Sequence, residues 1–314
     1  MKKLTIKSRI KYLGFFILML LAYNSHGQLK CAGKLGDDAN KYPKPFMWSE
    51  NDSKLIERFN KKKLRLINDY TGLSQPSSFI LGNFLGMIEY FNTTYKNDFE
   101  YLNIYIVAYS SGGDLVPEDY ENLLTLLFAP AKGKTDLDYF TIPPETPFDE
   151  SKIDQFKIDL GKYPDLPKEW RRNFVNKIIP ALYKTIDDKE PGNYHHDNLA
   201  DSKRITYCAK DIFELACEQK YKHTDNSNNE IKFSTDMLAS FAAFGNNGNP
   251  RAVNFKAKRR LFIQFDFLTL DKKPFYLENT KGFKGRTPPA TTCLSDKELN
   301  NGQLCPPSTN CPDN

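Results

Sequence analysis

A chain of 314 residues and 36.2 kDa, 40% apolar, 26% charged and 13% aromatic, holds enough material for one large core or two small ones. That composition excludes a disordered chain, a collagenous chain and a polytopic membrane protein. The formal charge of +5 is carried by Lys2, Lys3, Lys7, Arg9 and Lys11. Without residues 1–27 the chain has 39 basic and 39 acidic residues, and the basic footprint expected of a nucleic-acid binder is gone.

Residues 1–27 have the three parts of a secretory signal peptide: a basic start ending at Lys11, an apolar stretch from Tyr12 to Tyr23, and the small residues Ser25 and Gly27. Signal peptidase requires small side chains at those last two places, which puts Gln28 at the mature end. The apolar stretch is shorter than the roughly 20 residues a bilayer-spanning helix needs. Cleavage therefore leaves no transmembrane anchor, and the protein is expected to be exported, to the periplasm, the cell surface or the medium. Lys30 precedes Cys31, which argues against lipid attachment there.

Six cysteines remain after export, Cys31, Cys208, Cys217, Cys293, Cys305 and Cys311. An even number in an exported chain is a candidate disulfide set, and the sequence does not choose among the pairings. If 208–217 is helical, Cys208 and Cys217 lie roughly 13 Å apart along the axis and cannot bridge. They are then either bonded elsewhere or small core residues. No Cys-x-x-Cys pair points to zinc.

In chain order, residues 28–48 read as an extended arm ending in Pro43, Pro45 and Trp48. After Ser49, a candidate N-cap, Leu55, Ile56, Phe59, Leu66 and Ile67 form one helical stripe. A second helix is predicted over 77–91, with Gly82 and Gly86 a turn apart for close packing. Tyr101 to Tyr109 alternates as a central strand, and Asn122 to Ala129 is a second one. Residues 130–165 are irregular. A helix over 167–184 carries Trp170, Phe174, Ile178 and Leu182, with a kink at Pro180. A further helix is expected over 204–220. Ser234 is predicted to cap a short helix running to Phe244. Arg260 to Leu270 is the last strong strand, returning through Asp271-Lys272-Lys273-Pro274 into a short partner at 275–278. Residues 286–314 form a Pro- and Cys-rich tail. Strands joined directly, with helices kept apart from them, predict an α+β domain over 49–285 with an antiparallel-rich sheet.

Few residues suggest chemistry. Export leaves three histidines, and only His195, His196 and Asp197 cluster with a carboxylate. Adjacent histidines diverge, so a solvated loop is preferred to a metal site. Ser110, Ser111 and Asp114 lie in a glycine-bearing loop after a strand, where an anion or substrate can be held, yet the loop is neither a nucleophile elbow nor a phosphate loop. These six residues form the candidate pocket, provided that their two segments meet. The basic runs Lys61-Lys62-Lys63 and Lys256 to Arg260 read as solvated faces. Asn51-Asp52-Ser53 and Asn92-Thr93-Thr94 fit the glycosylation pattern.

Leu102-Asn103-Ile104-Tyr105-Ile106 and Leu123-Leu124-Thr125-Leu126-Leu127-Phe128, with the ending Leu304-Cys305-Pro306-Pro307 and Cys311, resemble a family of uncharacterised proteins found in Bacteroidetes. That pattern is two helices, an Ile-x-Ile-Tyr-type strand, a variable loop and a Leu-rich strand, and it covers about a third of the chain. The resemblance implies no activity. The favoured reading is an exported binding or envelope-interaction protein without a cofactor, its partner another envelope protein or a polysaccharide. The alternative is a secreted hydrolase using carboxylates, or a metal at the 195–201 cluster. A third possibility is an envelope-assembly component that docks through its arm or tail.

Overall fold

The computed structural model describes residues 53–110, 118–143, 146–180, 204–219, 222–225, 227–243, 261–275 and 303–305. The leader, the whole arm and all of the tail except 303–305 lie outside these.

Helix α1 is continuous, formed by Ser53–Phe59 and Arg65–Thr71 with the π-helical stretch Asn60–Leu64 between them. It stops at Gly72, whose φ of 70° is open to glycine at no steric cost and lets its N–H bond back to the Asn68 carbonyl. Strand β1 (Ser78–Leu81) and helix α2 (Phe84–Tyr95) follow. The helix expected over 77–91 is thus corrected to a strand, a turn and a helix displaced along the chain. The aromatic and β-branched pair Phe79-Ile80 favours the strand. Asn83, at φ 50°, caps the helix by accepting from the Gly86 N–H at 3.3 Å. Gly82 lies in the turn, not the helix, and a Cβ there would meet the Pro147 backbone at 2.6 Å. It permits a close approach, but between a loop and a turn.

Strands β2 (Tyr101–Ala108), β3 (Leu124–Lys132) and β4 (Thr135–Asp136) come next. Helix α3 (Leu166–Asn173) then continues into a π-helical stretch, Phe174–Ile178. Strand β5 (Arg204–Cys208) leads directly into helix α4 (Ala209–Glu218). The helix expected from residue 204 therefore begins at Ala209, because Ile205, Thr206 and Tyr207 suit a strand and pair with β2.

Strand β6 (Lys222–Thr224) pairs with the start of β7 (Glu230–Ala243), which pairs in turn with β8 (Leu261–Thr269). The expected 234–244 helix is overturned by this ladder. Met237, Ala239, Phe241 and Ala243 repeat every second residue and face the core opposite Phe267, Phe265, Ile263 and Leu261. Strand β9 (Pro274–Phe275) closes a hairpin, and β10 (Gln303–Cys305) comes from the tail.

These strands form two sheets, every pairing antiparallel. One runs β1-β7-β8-β9 with β6 beside β7, and the other β10-β5-β2-β3-β4. The fold is α+β. The main core lies between the sheets, where α2 and α4 also bury their apolar sides. Phe84 of α2 spans it, with its ring 5.8 Å from Phe265 of β8 and 6.2 Å from Phe128 of β3. Because side chains alternate, β2 and β3 send Leu102, Ile104, Ile106, Leu126 and Phe128 into that core and the intervening residues to the opposite face. On that outer face α3 closes a smaller core, with Trp170 buried edge-on against Tyr109 at 4.9 Å.

Candidate functional site

Of the six residues in the expected pocket only Ser110 is described; Ser111, Asp114, His195, His196 and Asp197 lie outside the described residues. Ser110 lies two residues past the end of β2, and its Oγ is buried with no hydrogen-bond partner among the described residues. The base of its loop is clamped beside it. Asn122 donates its N–H to the Tyr109 carbonyl at 2.9 Å, and Tyr109 donates to the Leu123 carbonyl at 3.0 Å. The Asn173 amide reaches both the Tyr109 carbonyl and Asn122 Oδ1, while Gln75 holds the Asn122 carbonyl at 3.0 Å and the Leu124 N–H at 2.8 Å.

The richest polar constellation is elsewhere, on the outer face of β2, β4 and β5, and centres on Asp136. One carboxylate oxygen accepts from Asn103 Nδ2 at 2.6 Å; the other accepts from the Tyr105 hydroxyl at 2.6 Å and the Tyr139 hydroxyl at 2.9 Å. Thr206 extends the chain by donating to Asn103 Oδ1 at 2.6 Å. Pairing register brings these residues together. Asn103 sits opposite Thr206 and Tyr105 opposite Arg204, while β4 pairs Asp136 with Ala131 at the far edge of β3. Two guanidinium groups flank the Tyr105 ring, Arg171 of α3 at 5.0 Å and Arg204 at 5.9 Å, and Arg171 also lies 5.9 Å from the Tyr139 ring. Asn103, Tyr105 and Arg204 are buried; Asp136, Tyr139 and Arg171 are partly exposed. The constellation therefore has a sealed floor and a solvent-facing rim.

Electrostatics hold this floor in one protonation state. Burial raises the Tyr105 phenol far above its ordinary range, with the charge and hydrogen bond of Asp136 acting the same way and Arg204 opposing them. Tyr95 is raised by burial and by its 2.6 Å bond to Asp138, Tyr109 by burial, and Tyr207 by burial alone. These four phenols have folded-state values above their ordinary 10.0, so the stability they confer is complete below about pH 10 and is lost as pH rises towards the folded-state values. Alkaline titration followed by tyrosinate absorbance and circular dichroism should show them ionising only with unfolding. Ionisation of every tyrosine while the dichroism stays native would contradict this.

A second polar knot is structural. Asp236 sits at the β7 register shift, accepts the Asn83 N–H at 2.8 Å and pairs with Lys272; Gln219 donates to its carbonyl at 2.8 Å. It fastens the turn before α2, the end of α4 and the β8–β9 turn to one strand, and both its carboxylate oxygens are engaged in doing so.

Among the described residues no group of three or more His, Cys, Asp or Glu is placed to hold a metal, and no helix is long and apolar enough to cross a membrane. Cys208, buried at the end of β5, is a disulfide cysteine rather than a free thiol.

The Asp136 constellation was missed by sequence reasoning. The signal available was Asn103, a polar residue on the aromatic side of a strand buried on both faces, which must find a partner. Compared with known protein families, curated proteins and solved structures, the chain matches none.

Proposed function

We propose that the chain is an exported binding protein that holds a polar, ring-bearing ligand, an envelope polysaccharide, on the rim formed by Arg171, Tyr139 and Asp136. The observation that carries this reading is the saturated Asp136 carboxylate. Three donors fix its position and hold both phenols, which suits recognition and leaves little lone-pair capacity for abstracting a proton. The surrounding face supports it. Tyr120, Tyr139 and Tyr163 are partly exposed on this outer face, with the Arg171 guanidinium against Tyr139, and tyrosine with arginine is the composition enriched where proteins bind. Rings stacked or tilted on a rigid sheet offer flat apolar area at little entropic cost, and the carboxylate and guanidinium supply directional contacts.

Export is supported by the features of residues 1–27 and by the oxidised state of Cys208, since structural disulfides persist in oxidising compartments. The resemblance to the Bacteroidetes family adds no activity to the proposal.

The test is sedimentation of the purified exported chain with insoluble envelope polysaccharide, alongside Arg171→Ala and Tyr139→Phe. We expect Arg171→Ala to weaken binding at least ~5-fold and Tyr139→Phe less, both with native dichroism, because the guanidinium is a rim contact worth about 1 kcal/mol or more and the phenylalanine keeps the ring. Equal binding by all three proteins would remove the site from the rim. Release of soluble sugar by the parent chain would establish the hydrolase reading instead.

A further inference from the structure

Donors and acceptors are unequal on the rim around Asp136. Its carboxylate is held by three uncharged groups, the Asn103 amide and the Tyr105 and Tyr139 hydroxyls, which fill three of its roughly four lone-pair positions. The Tyr139 proton is committed to that bond, so towards a ligand this phenol only accepts. Arg171 is the opposite kind of group. A guanidinium carries five N–H donors in a planar fork, more than one protein partner can engage. Its contacts with the Tyr105 and Tyr139 rings, at 5.0 Å and 5.9 Å, draw on its charge and leave its hydrogen-bonding capacity unspent.

Charge around this site leans the same way. Arg204, only 5% exposed, sets a second guanidinium 5.9 Å from the Tyr105 ring, so two cations adjoin the ring whose hydroxyl bonds Asp136. On α3, Lys168, Arg171 and Arg172 outnumber Glu169, and Lys168 and Arg172 lie one turn apart and exposed. The next carboxylate along the chain, Asp138, is balanced by Lys157 at 2.9 Å. A buried cation such as Arg204 is screened by salt less than an exposed one, so its field reaches the rim.

We propose that the polysaccharide taken by this rim is acidic, a polymer of uronate units whose carboxylate is gripped by Arg171. The proposal rests on the rim being the ligand site. A planar carboxylate accepts two parallel bonds from the guanidinium fork, and such charge-assisted bonds are about twice as strong as the single bonds a neutral hydroxyl would make there. The remaining acceptors, the Tyr139 oxygen and the last lone-pair position of Asp136, suit hydroxyls of the same unit. One sugar thus meets a donor fork with its acid group and two acceptors with its hydroxyls, an assignment that a neutral sugar fills only in part.

The experiment is titration calorimetry of the purified exported chain with soluble oligogalacturonate and oligomannuronate, each set against its methyl ester, which keeps the rings and removes the charge. At least one acid is expected to bind about 10-fold more tightly than its ester, the difference between a charged and a neutral hydrogen-bonded contact. That preference should shrink as sodium chloride is raised. It should fall in Arg171→Lys, which keeps the charge without the fork, and vanish in Arg171→Gln. Equal binding of acid and ester, weakened alike by Arg171→Gln, overturns the acidic assignment and leaves the rim as the binding site. An acid preference that survives Arg171→Gln overturns both, since the site then lies elsewhere. Binding of neither form overturns the acidic assignment, and the sedimentation assay decides the rim separately.

Discussion

Replacing Asp136 by alanine is expected to destabilise the protein by about 3 kcal/mol, because two buried donors lose their acceptor at once. Tyr105 and Asn103 both point at this carboxylate from β2, and neither can turn to bulk water without disturbing the strand that carries it. At about 2–4 °C per kcal/mol for a chain of this size, the melting temperature should fall by roughly 10 °C. Asp136→Asn keeps one acceptor oxygen and should cost about a third as much. Tyr105→Phe removes a donor and leaves the carboxylate with two others, so it should cost about 1 kcal/mol alone and nearly nothing in the Asp136→Ala background. Thermal and urea unfolding of the four proteins close the cycle. Additive losses would mean that the hydroxyl and carboxylate do not interact in solution. In the polysaccharide assay Asp136→Ala should weaken binding as well, since it releases the Tyr139 hydroxyl that the same oxygen holds.

Sequence pattern foretold those parts of the fold whose local and tertiary demands agree. Leu102, Ile104, Ile106 against Tyr105, Val107, Tyr109 reads as a strand buried on both faces, and the strand is covered on both, by the main core and by α3. The same holds for the α1 stripe and for Leu261 to Phe267 in β8. Reading fails where pairing overrides local preference. Met237, Leu238, Ala239, Ala242 and Ala243 are compatible with a short capped helix, yet β1 and β8 pair on either side of this segment and force it into extension. Asp236, within this segment, is the anchor of the register shift. Arg204 to Cys208 was absorbed into a helix because strand and helix follow one another without a break, and the partner that decides the boundary, β2, lies about a hundred residues earlier.

The site was less legible than the fold for a related reason. Asp136 falls in a Pro-, Asp- and Lys-rich stretch where one more aspartate carries no signal, and two of its three donors lie about thirty residues away in β2. Only the alternation of β2 gave a hint, by setting Asn103 between Tyr101 and Tyr105 on one face. Clustering along the chain drew attention instead to residues 110–114 and 195–197. Adjacency in sequence is a poor guide on a sheet, where the neighbours that matter sit across strands.

Phe84→Ala is expected to be among the most damaging single substitutions, at about 3–5 kcal/mol, because this ring is wholly buried and joins the two sheets. It packs against Phe265 on one side and Phe128 on the other, at the first turn of a helix whose cap, Asn83, is itself tied to Asp236. The cavity left by alanine cannot close by moving one sheet alone, since β1, β7 and β8 are held by the Asp236–Lys272 knot, and β2, β3 and β4 by Asp136. Phe84→Leu, which refills much of the volume, should cost less than half as much. Trp170→Ala offers the discriminating comparison. Its ring is also wholly buried, with a similar expected cost, but it touches only the outer face of the second sheet. Amide exchange should therefore show protection lost in both β3 and β8 for Phe84→Ala, and in β2 and β3 but not β8 for Trp170→Ala. If both variants lost protection everywhere to the same degree, the two sheets would be one cooperative unit, and Phe84 would not be the particular link between them.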